Sequence, residues 1–264
     1  MSEFLQRVMA GKRCTMSLLS DADREAARAD AVALRTSVLP RFQRALVAHP
    51  VGIIAEFKRH SPSAGDIQPH ADPLAVAREY QKGGAAAMSV LTEAEHFHGS
   101  LEDLRRVASG VNLPLLRKDF LVDRHQVFEA ALAGAEAVLV IIAGLTDAEA
   151  LKLLDAAHLA HLDALVEVHT AEEMQRAATL GATLIGVNNR NLKTLQVDLE
   201  TSLRLAELAP ADATLVTESG LRTREDLVRL AGVGYRGFLI GETLMRAGDA
   251  QKTLGELQGV EATR

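Results

Sequence analysis

The sequence predicts an α/β protein: a closed (β/α)8 (TIM) barrel with an N-terminal helical extension. Three observations lead there. From Val51 onward, short apolar runs rich in β-branched residues alternate eight times with longer Ala/Leu/Glu/Arg segments, and strictly alternating β–α units imply a parallel sheet. The runs are continuously apolar rather than alternating, as expected where helices cover a parallel sheet. The chain has 264 residues, close to the roughly 250 that such a barrel needs, and it lacks the early Gly-x-Gly-x-x-Gly of an open dinucleotide-binding sheet.

The expected strands are 51–57, 85–91, 113–117, 137–142, 162–168, 183–187, 214–217 and 237–240. Between and after them lie helical segments at 73–82, 100–108, 124–133, 147–158, 171–180, 199–208, 224–231 and 247–257. Thr146, Thr170 and Thr223 precede helices and suit N-caps, while Gly83-Gly84, Gly110, Gly134, Gly181 and Gly232 suit helix ends. Residues 1–50 fall outside the repeat. An Ala/Arg/Glu-rich helix is expected at 21–39 and a short one at 41–48, forming an extension packed on a barrel domain of residues 51–264. No Gly/Ser- or Pro-rich linker divides the chain.

Composition narrows the function. A net charge of −6 argues against a nucleic-acid surface, which needs a basic stripe. The single cysteine, Cys14, permits neither an internal disulfide nor a thiolate cluster, and suits a reducing cytoplasm. The first residues lack the apolar core of a signal peptide. The longest apolar run, 135–145, is interrupted by Glu136 and falls short of the roughly 18 residues of a membrane span. No nucleic-acid or membrane partner is expected, and no metal: His-Glu-x-x-His is absent. His96-x-His98 and His158-x-x-His161 read as surface pairs, although His ligation is open to them in principle.

Active sites of such barrels lie at the C-terminal ends of the strands. Strand 1 ends in Glu56-Phe57-Lys58, whose charged residues share one face because side chains alternate along a strand. Left unpaired in a buried strand, they would cost several kcal/mol. Strand 3 ends in Arg117-Lys118-Asp119-Phe120, strand 5 carries Glu167, and strand 6 ends in Asn188-Asn189-Arg190-Asn191. Strand 7 ends in Thr217-Glu218-Ser219-Gly220 and strand 8 in Gly241-Glu242. Any one of these suits a solvated strand end or a structural ion pair; together they would meet above one mouth. Gly220 and Gly241 allow backbone to approach a ligand, and the loops after strands 7 and 8 commonly bind phosphate. Ser61 would add a hydroxyl. His60 and His125 fall near the mouth. A small phosphate-bearing ligand follows.

These motifs resemble the indole-3-glycerol-phosphate synthase family of tryptophan biosynthesis. The matching segments are Ile54-Ala55-Glu56-Phe57-Lys58-Arg59-His60-Ser61-Pro62-Ser63, Ser89-Val90-Leu91-Thr92-Glu93, Arg117-Lys118-Asp119-Phe120, Leu165-Val166-Glu167-Val168-His169, Ile185-Gly186-Val187-Asn188-Asn189-Arg190-Asn191-Leu192, Thr217-Glu218-Ser219-Gly220 and Leu239-Ile240-Gly241-Glu242-Thr243-Leu244-Met245-Arg246. The resemblance implies a carbon–carbon lyase that uses no cofactor. It would close the indole ring of 1-(2-carboxyphenylamino)-1-deoxyribulose 5-phosphate, releasing CO2 and water. It implies Lys118 as general acid in ring closure and Glu167 as acid/base partner in dehydration, with Lys58 close by. Glu56, Asn188, Glu218 and Ser219 would orient these groups. Ser61, Gly220, Gly241, Glu242 and Thr243 would hold phosphate, Arg190 would lie near the substrate, and Phe97, Phe120 and Leu91 would meet its aromatic part.

Two departures stand out. Glu242 replaces the serine that many members carry after the phosphate-site glycine, so its side chain is expected to turn away. Residues 12–17, Lys-Arg-Cys-Thr-Met-Ser, are unlike the family's usual start. Two alternatives remain: another phosphate-binding barrel enzyme such as phosphoribosylanthranilate isomerase, which would need a cysteine at a strand end, and a non-catalytic barrel subunit. A monomer is compatible with the sequence, as is association with other enzymes of tryptophan biosynthesis.

Overall fold

A computed structural model describes residues 2–35 and 39–259. Eight parallel strands form one closed barrel: β1 (Gly52–Phe57), β2 (Ala87–Leu91), β3 (Leu115–Lys118), β4 (Ala137–Ile141), β5 (Asp163–Val168), β6 (Leu184–Asn188), β7 (Thr214–Glu218) and β8 (Tyr235–Ile240). Each pairs with its neighbours in sequence, and β8 closes on β1 through Gly52↔Gly237 to Ala55↔Ile240. A two-residue hairpin, His60–Ser61 against Gly65–Asp66, follows β1. The expected strands are all present, with ends moved by one or two residues. The last begins earlier, at Tyr235, because a register irregularity between Tyr235 and Gly237 lets the polar Arg236 project outward.

The helices α4 (Pro73–Lys82), α5 (Leu101–Ala108), α6 (Arg124–Leu132), α7 (Asp147–Leu159), α8 (Ala171–Thr179), α9 (Glu200–Ala206) and α10 (Arg224–Ala231) cover the barrel. Thr146, Thr170 and Thr223 cap α7, α8 and α10 by accepting backbone N–H bonds. The helix expected at 247–257 is α12 (Ala250–Gln258), starting three residues later, and a short helix not expected, α11 (Glu242–Met245), precedes it. Asp249 restarts the chain by capping Lys252 N–H. The expected glycine stops at Gly110, Gly134 and Gly181 each directly follow the last cap of their helix, Ser109, Ala133 and Leu180.

Alternation along the strands produces two apolar layers. Ile53, Ala55 and Phe57 of β1 face the helices, whereas Ile54 joins Leu116, Leu139, Leu165, Leu184, Val216 and Leu239 inside the barrel. The N-terminal helices close that inner core at both ends. α3 (Phe42–Ala48) places Phe42 and Leu46 at the N-terminal end of the strands, where Leu46 abuts Gly52 and Gly237. Arg41 Nε donates to Glu136 at 3.0 Å and Gln43 N–H to Asp163 at 2.9 Å, anchoring it there. α1 (Glu3–Ser17), not among the expected helices, sends Leu5 and Met9 into the opposite end. α2 (Asp21–Arg35) runs along α6 between them, with an Arg24–Asp123 ion pair at 2.7 Å. The expected continuation of this helix through 36–38, and the barrel's expected end at 260–264, lie outside the described residues.

α1 is fastened through Asp119. Its carboxylate pairs with Lys12 at 2.7 Å and with Arg117 at 3.3 Å, and accepts from Thr92 Oγ1 at 2.7 Å and Phe120 N–H at 2.8 Å. Burial would raise its pKa, but Arg117 and Lys12 outweigh burial and hold it below the usual carboxylate range. The stabilisation is therefore present above the unfolded pKa of about 4 and is lost as pH falls toward the lower folded value. Asp119→Asn should cost on the order of 2–3 kcal/mol and loosen α1, read as faster amide exchange over residues 3–17 than over the strands. Phe42→Ala should cost about 3–5 kcal/mol in denaturant unfolding by opening a cavity beneath the barrel.

Candidate active site

The top inward positions of β1, β3, β5 and β7 carry charged groups. Above Ile54, Leu116, Leu165 and Val216 sit Glu56, Lys118, Glu167 and Glu218, two residues on and hence on the same face. Lys118 Nζ lies 3.3 Å from Glu167 Oε2 and donates to Glu218 Oε2 as well. Lys58 Nζ donates to Glu56 Oε1 at 2.8 Å. Two glycines make room: a Cβ at Gly241 would overlap Glu56 Oε1, and one at Gly186 would stand 3.0 Å from Glu218 Oε1. Arg117, next to Lys118, points the other way into the helix layer, where it donates to Gln126 O at 2.7 Å and pairs with Glu129 at 3.2 Å.

The carboxylates are driven apart electrically. Burial raises Glu167, but Lys118 and then His169 overcome it and hold the group ionised at about 2. Burial also raises Glu218; Lys118 opposes this, while the negative charges of Glu167 and Glu56 add to the rise, leaving it at about 7. Its Oε1 is buried and accepts no bond from the protein among the described residues. Burial alone would lower Lys118, but the charges of Glu218, Glu167 and Glu56 move its pKa above the ordinary lysine value. The mouth thus holds a firmly charged ammonium, a fixed carboxylate and a carboxyl group able to exchange a proton near neutral pH, the separation expected of acid–base chemistry.

Around them opens a cavity of about 920 Å³. Glu56, Lys58, Lys118, Glu167, Asn188, Glu218 and Ser219 all line it, as do Ser61, Leu91, Phe97, Phe120, Arg190, Gly220, Gly241, Glu242 and Thr243. Asn188 Oδ1 accepts from Ser219 Oγ at 2.9 Å and from Arg190 N–H at 3.0 Å, tying the ends of β6 and β7 together. Ser219 (φ 71°) and Gly220 (φ 85°) are both left-handed. Asn189 holds that turn by donating to Glu218 O and Ser219 O, each at 3.1 Å. Loops after the adjacent β7, β8 and β1 supply hydroxyls and turns on one side of the mouth. There Thr243 Oγ1 donates to Leu221 O at 3.0 Å, and the Glu242 carboxylate is engaged by Arg246 Nε at 3.0 Å. On the other side, over β2 and β3, Phe97 and Phe120 stand 6.2 Å apart at 46°.

Several groups stay outside. His60 stacks on His98 and bonds His96 O at 2.7 Å, and His125 rests near Glu129 at 3.6 Å; neither lines the cavity. His158 is exposed, as is Cys14 on α1. Glu93, Glu95 and His96 cluster closely enough to meet a cation, but both Glu93 oxygens accept backbone N–H bonds from residues 95–97 and act as the fastener of that loop. Five contributors were not among the expected site residues. Phe4 and Leu5 of α1 line the cavity, Phe4 standing edge-on to Phe120 at 6.2 Å; helix periodicity in 3–17 was the available signal. Arg222 and Arg246 add cationic wall beside the β7 and β8 loops. His169 backs Glu167 at 3.3 Å, and its i+2 spacing from Glu167 was legible as a shared face.

Comparison with known proteins agrees with this arrangement. Residues 5–257 match the family model for indole-3-glycerol phosphate synthase. The chain is 46% identical over 262 residues to the indole-3-glycerol phosphate synthase of Nocardioides sp., covering 98% of this chain and 99% of that one. It is 53% identical over 209 residues to that of Koribacter versatilis, covering 79% and 80%. A solved 3-hexulose-6-phosphate synthase shares the fold at a TM-score of 0.64 and 15% identity, over 80% of this chain and all 100% of that one. Similarity along nearly the whole length, joined to the barrel and its lined mouth, leads to one conclusion: the chain belongs to the indole-3-glycerol phosphate synthase family.

Proposed function

We propose that this chain converts 1-(2-carboxyphenylamino)-1-deoxyribulose 5-phosphate to indole-3-glycerol phosphate, releasing CO2 and water. The observation that carries the reading is Lys118, a buried ammonium held between Glu167 and Glu218 at the barrel mouth. Attack of the carboxylate-bearing ring carbon on the ketone forms a C–C bond and places negative charge on the ketone oxygen. Lys118 is the donor proposed to protonate that oxygen. Cleavage of the C–CO2 bond then returns its electron pair to the ring system. Dehydration follows: a base removes a proton, an acid protonates the hydroxyl, and water leaves. Glu167 and Lys58 are assigned to this step. Glu218, raised to about 7, is suited to carry Lys118's proton balance between the steps. Glu56, Asn188 and Ser219 orient the set.

In this reading the phosphate lies against Ser61, Gly220, Gly241, Glu242 and Thr243, with contacts at the last two from backbone N–H groups, because the Glu242 carboxylate is spent on Arg246. Arg190 faces the substrate, and Phe97, Phe120 and Leu91 receive its aromatic part. A net −6 protein thus collects its cations where a doubly anionic substrate docks. The proposed compartment is a reducing cytoplasm, in keeping with a lone exposed cysteine.

Incubating the purified protein with the carboxyphenylamino-deoxyribulose phosphate should produce indole absorbance. Lys118→Ala and Glu167→Gln should each lower kcat by about 10²–10⁴-fold while unfolding at a near-unchanged denaturant midpoint; turnover close to wild type in either would remove the assignment. Ser61→Ala should raise KM several-fold, on the order of one lost hydrogen bond, with kcat little altered.

A further inference from the structure

We propose that His169 is a positioning residue for this reaction: standing behind Glu167 and clamped by Glu173, it keeps the Glu167 carboxylate ionised and fixed in direction. The proposal rests on the reaction assigned above and adds to it a residue outside the cavity wall.

The geometry is specific. His169 follows the end of β5, two residues beyond Glu167, so its ring returns to the same face. Its Nε2 lies 3.3 Å from Glu167 Oε1 and its Nδ1 lies 3.0 Å from Glu173 Oε2. That Glu173 oxygen also accepts the His169 backbone N–H at 2.7 Å, and Thr170 Oγ1 caps Glu173 N–H at 3.2 Å. The ring has 9% of its side chain exposed. Both ring nitrogens therefore face carboxylate oxygens, which only accept. A neutral imidazole would set one lone pair against an oxygen, so only the doubly protonated ring satisfies both sides. The Nε2 contact is a charge contact and not an aligned hydrogen bond, which places its effect in the cation. Burial disfavours that cation, but Glu167 and Glu173 prevail and raise its pKa to about 10.

Other charged groups face this stretch. Lys118, Glu218 and Glu56 look in from the mouth. Arg190, Lys193, Asp198 and Arg204 lie across a second cavity of about 430 Å³ that His169 and Glu173 also line. Of these, Lys118 alone makes an ion pair with Glu167. Glu167 is thus held by two cations, one on each oxygen. When Lys118 gives its proton to the ketone oxygen, the first is discharged. His169 takes no part in that transfer and stays charged, so Glu167 remains a carboxylate when a base is next required.

The test is the pH dependence of kcat from about pH 4 to 9 for wild type, His169→Gln, Glu173→Gln and Glu167→Gln. Gln retains a donor near the Nε2 position without the charge. Glu167 is held at about 2 in wild type, so in His169→Gln the acid limb of kcat should move up by about one pH unit or more, a loss that approaches tenfold down that limb and vanishes toward neutral pH, with KM within about twofold. Glu173→Gln should move it the same way by less, and Glu167→Gln should be inactive at every pH. An unmoved acid limb in His169→Gln, or a loss of equal size at every pH, overturns the role. Nitrogen-15 NMR of the histidines in wild type makes the second reading. Both His169 nitrogens should be protonated through pH 8, and a neutral ring at pH 7.5 overturns the proposal however the variants fold. Wild type that fails to turn over the substrate overturns the assigned reaction itself, while the NMR still reports whether the clamp exists.

Discussion

A lysine ammonium enclosed by protein must be answered by negative charge close at hand, and the mouth of this barrel is organised by that demand. Lys118 is answered twice, by Glu167 and by Glu218. Each answer raises its own demand. Glu167 is shared with His169, and His169 with Glu173, so charge alternates outward until it reaches the surface at the start of α8. Glu218 has no second cation among the described residues, and the shortfall appears as a carboxyl group that keeps its proton up to about pH 7. One side of the lysine is locked and the other is adjustable, a division that serves a reaction in which a proton must first be delivered and then recovered.

The barrel supplies this arrangement cheaply. Strand alternation sends every second residue inward, so a polar residue two places beyond the last apolar one arrives at the mouth without any special loop. β1, β3, β5 and β7 each use that device. Where two such groups crowd, the neighbouring strand yields its side chain, as Gly186 does for Glu218 and Gly241 for Glu56.

The same regularity explains what the sequence disclosed. Continuous apolar runs located all eight strands, and the charged or amide residues at the ends of most of them located the mouth. Less visible were features set by packing between distant segments. The late start of α12 depends on its Asp249 cap, and the short α11 follows directly on the end of β8. α1 has a mixed composition, and its purpose is apparent only once Met9 is found against Gly144 and Lys12 against Asp119. His169 stood in plain view beside Glu167, but histidine after a strand is common enough that its value depends on the Glu173 carboxylate one helical turn further on. Glu242, an oddity beside the loop proposed to hold phosphate, is resolved by Arg246 four residues later, at the natural spacing of a helical ion pair.

The placement of α1 and α3 at opposite ends of the inner core bears on how the chain is made. Synthesis is vectorial, and these helices leave the ribosome before any strand they will contact. Each has an apolar face and nothing yet to cover it. The ring of strands cannot close until β8, the last of the eight to be made, meets β1, so both ends of the barrel are closed by helices made before any of the strands. α1 must wait, unsatisfied, until all eight strands have been made. The charged and small residues between the few buried anchors of α1 and α2 are then more than filler: they keep an orphaned segment in water until its site exists.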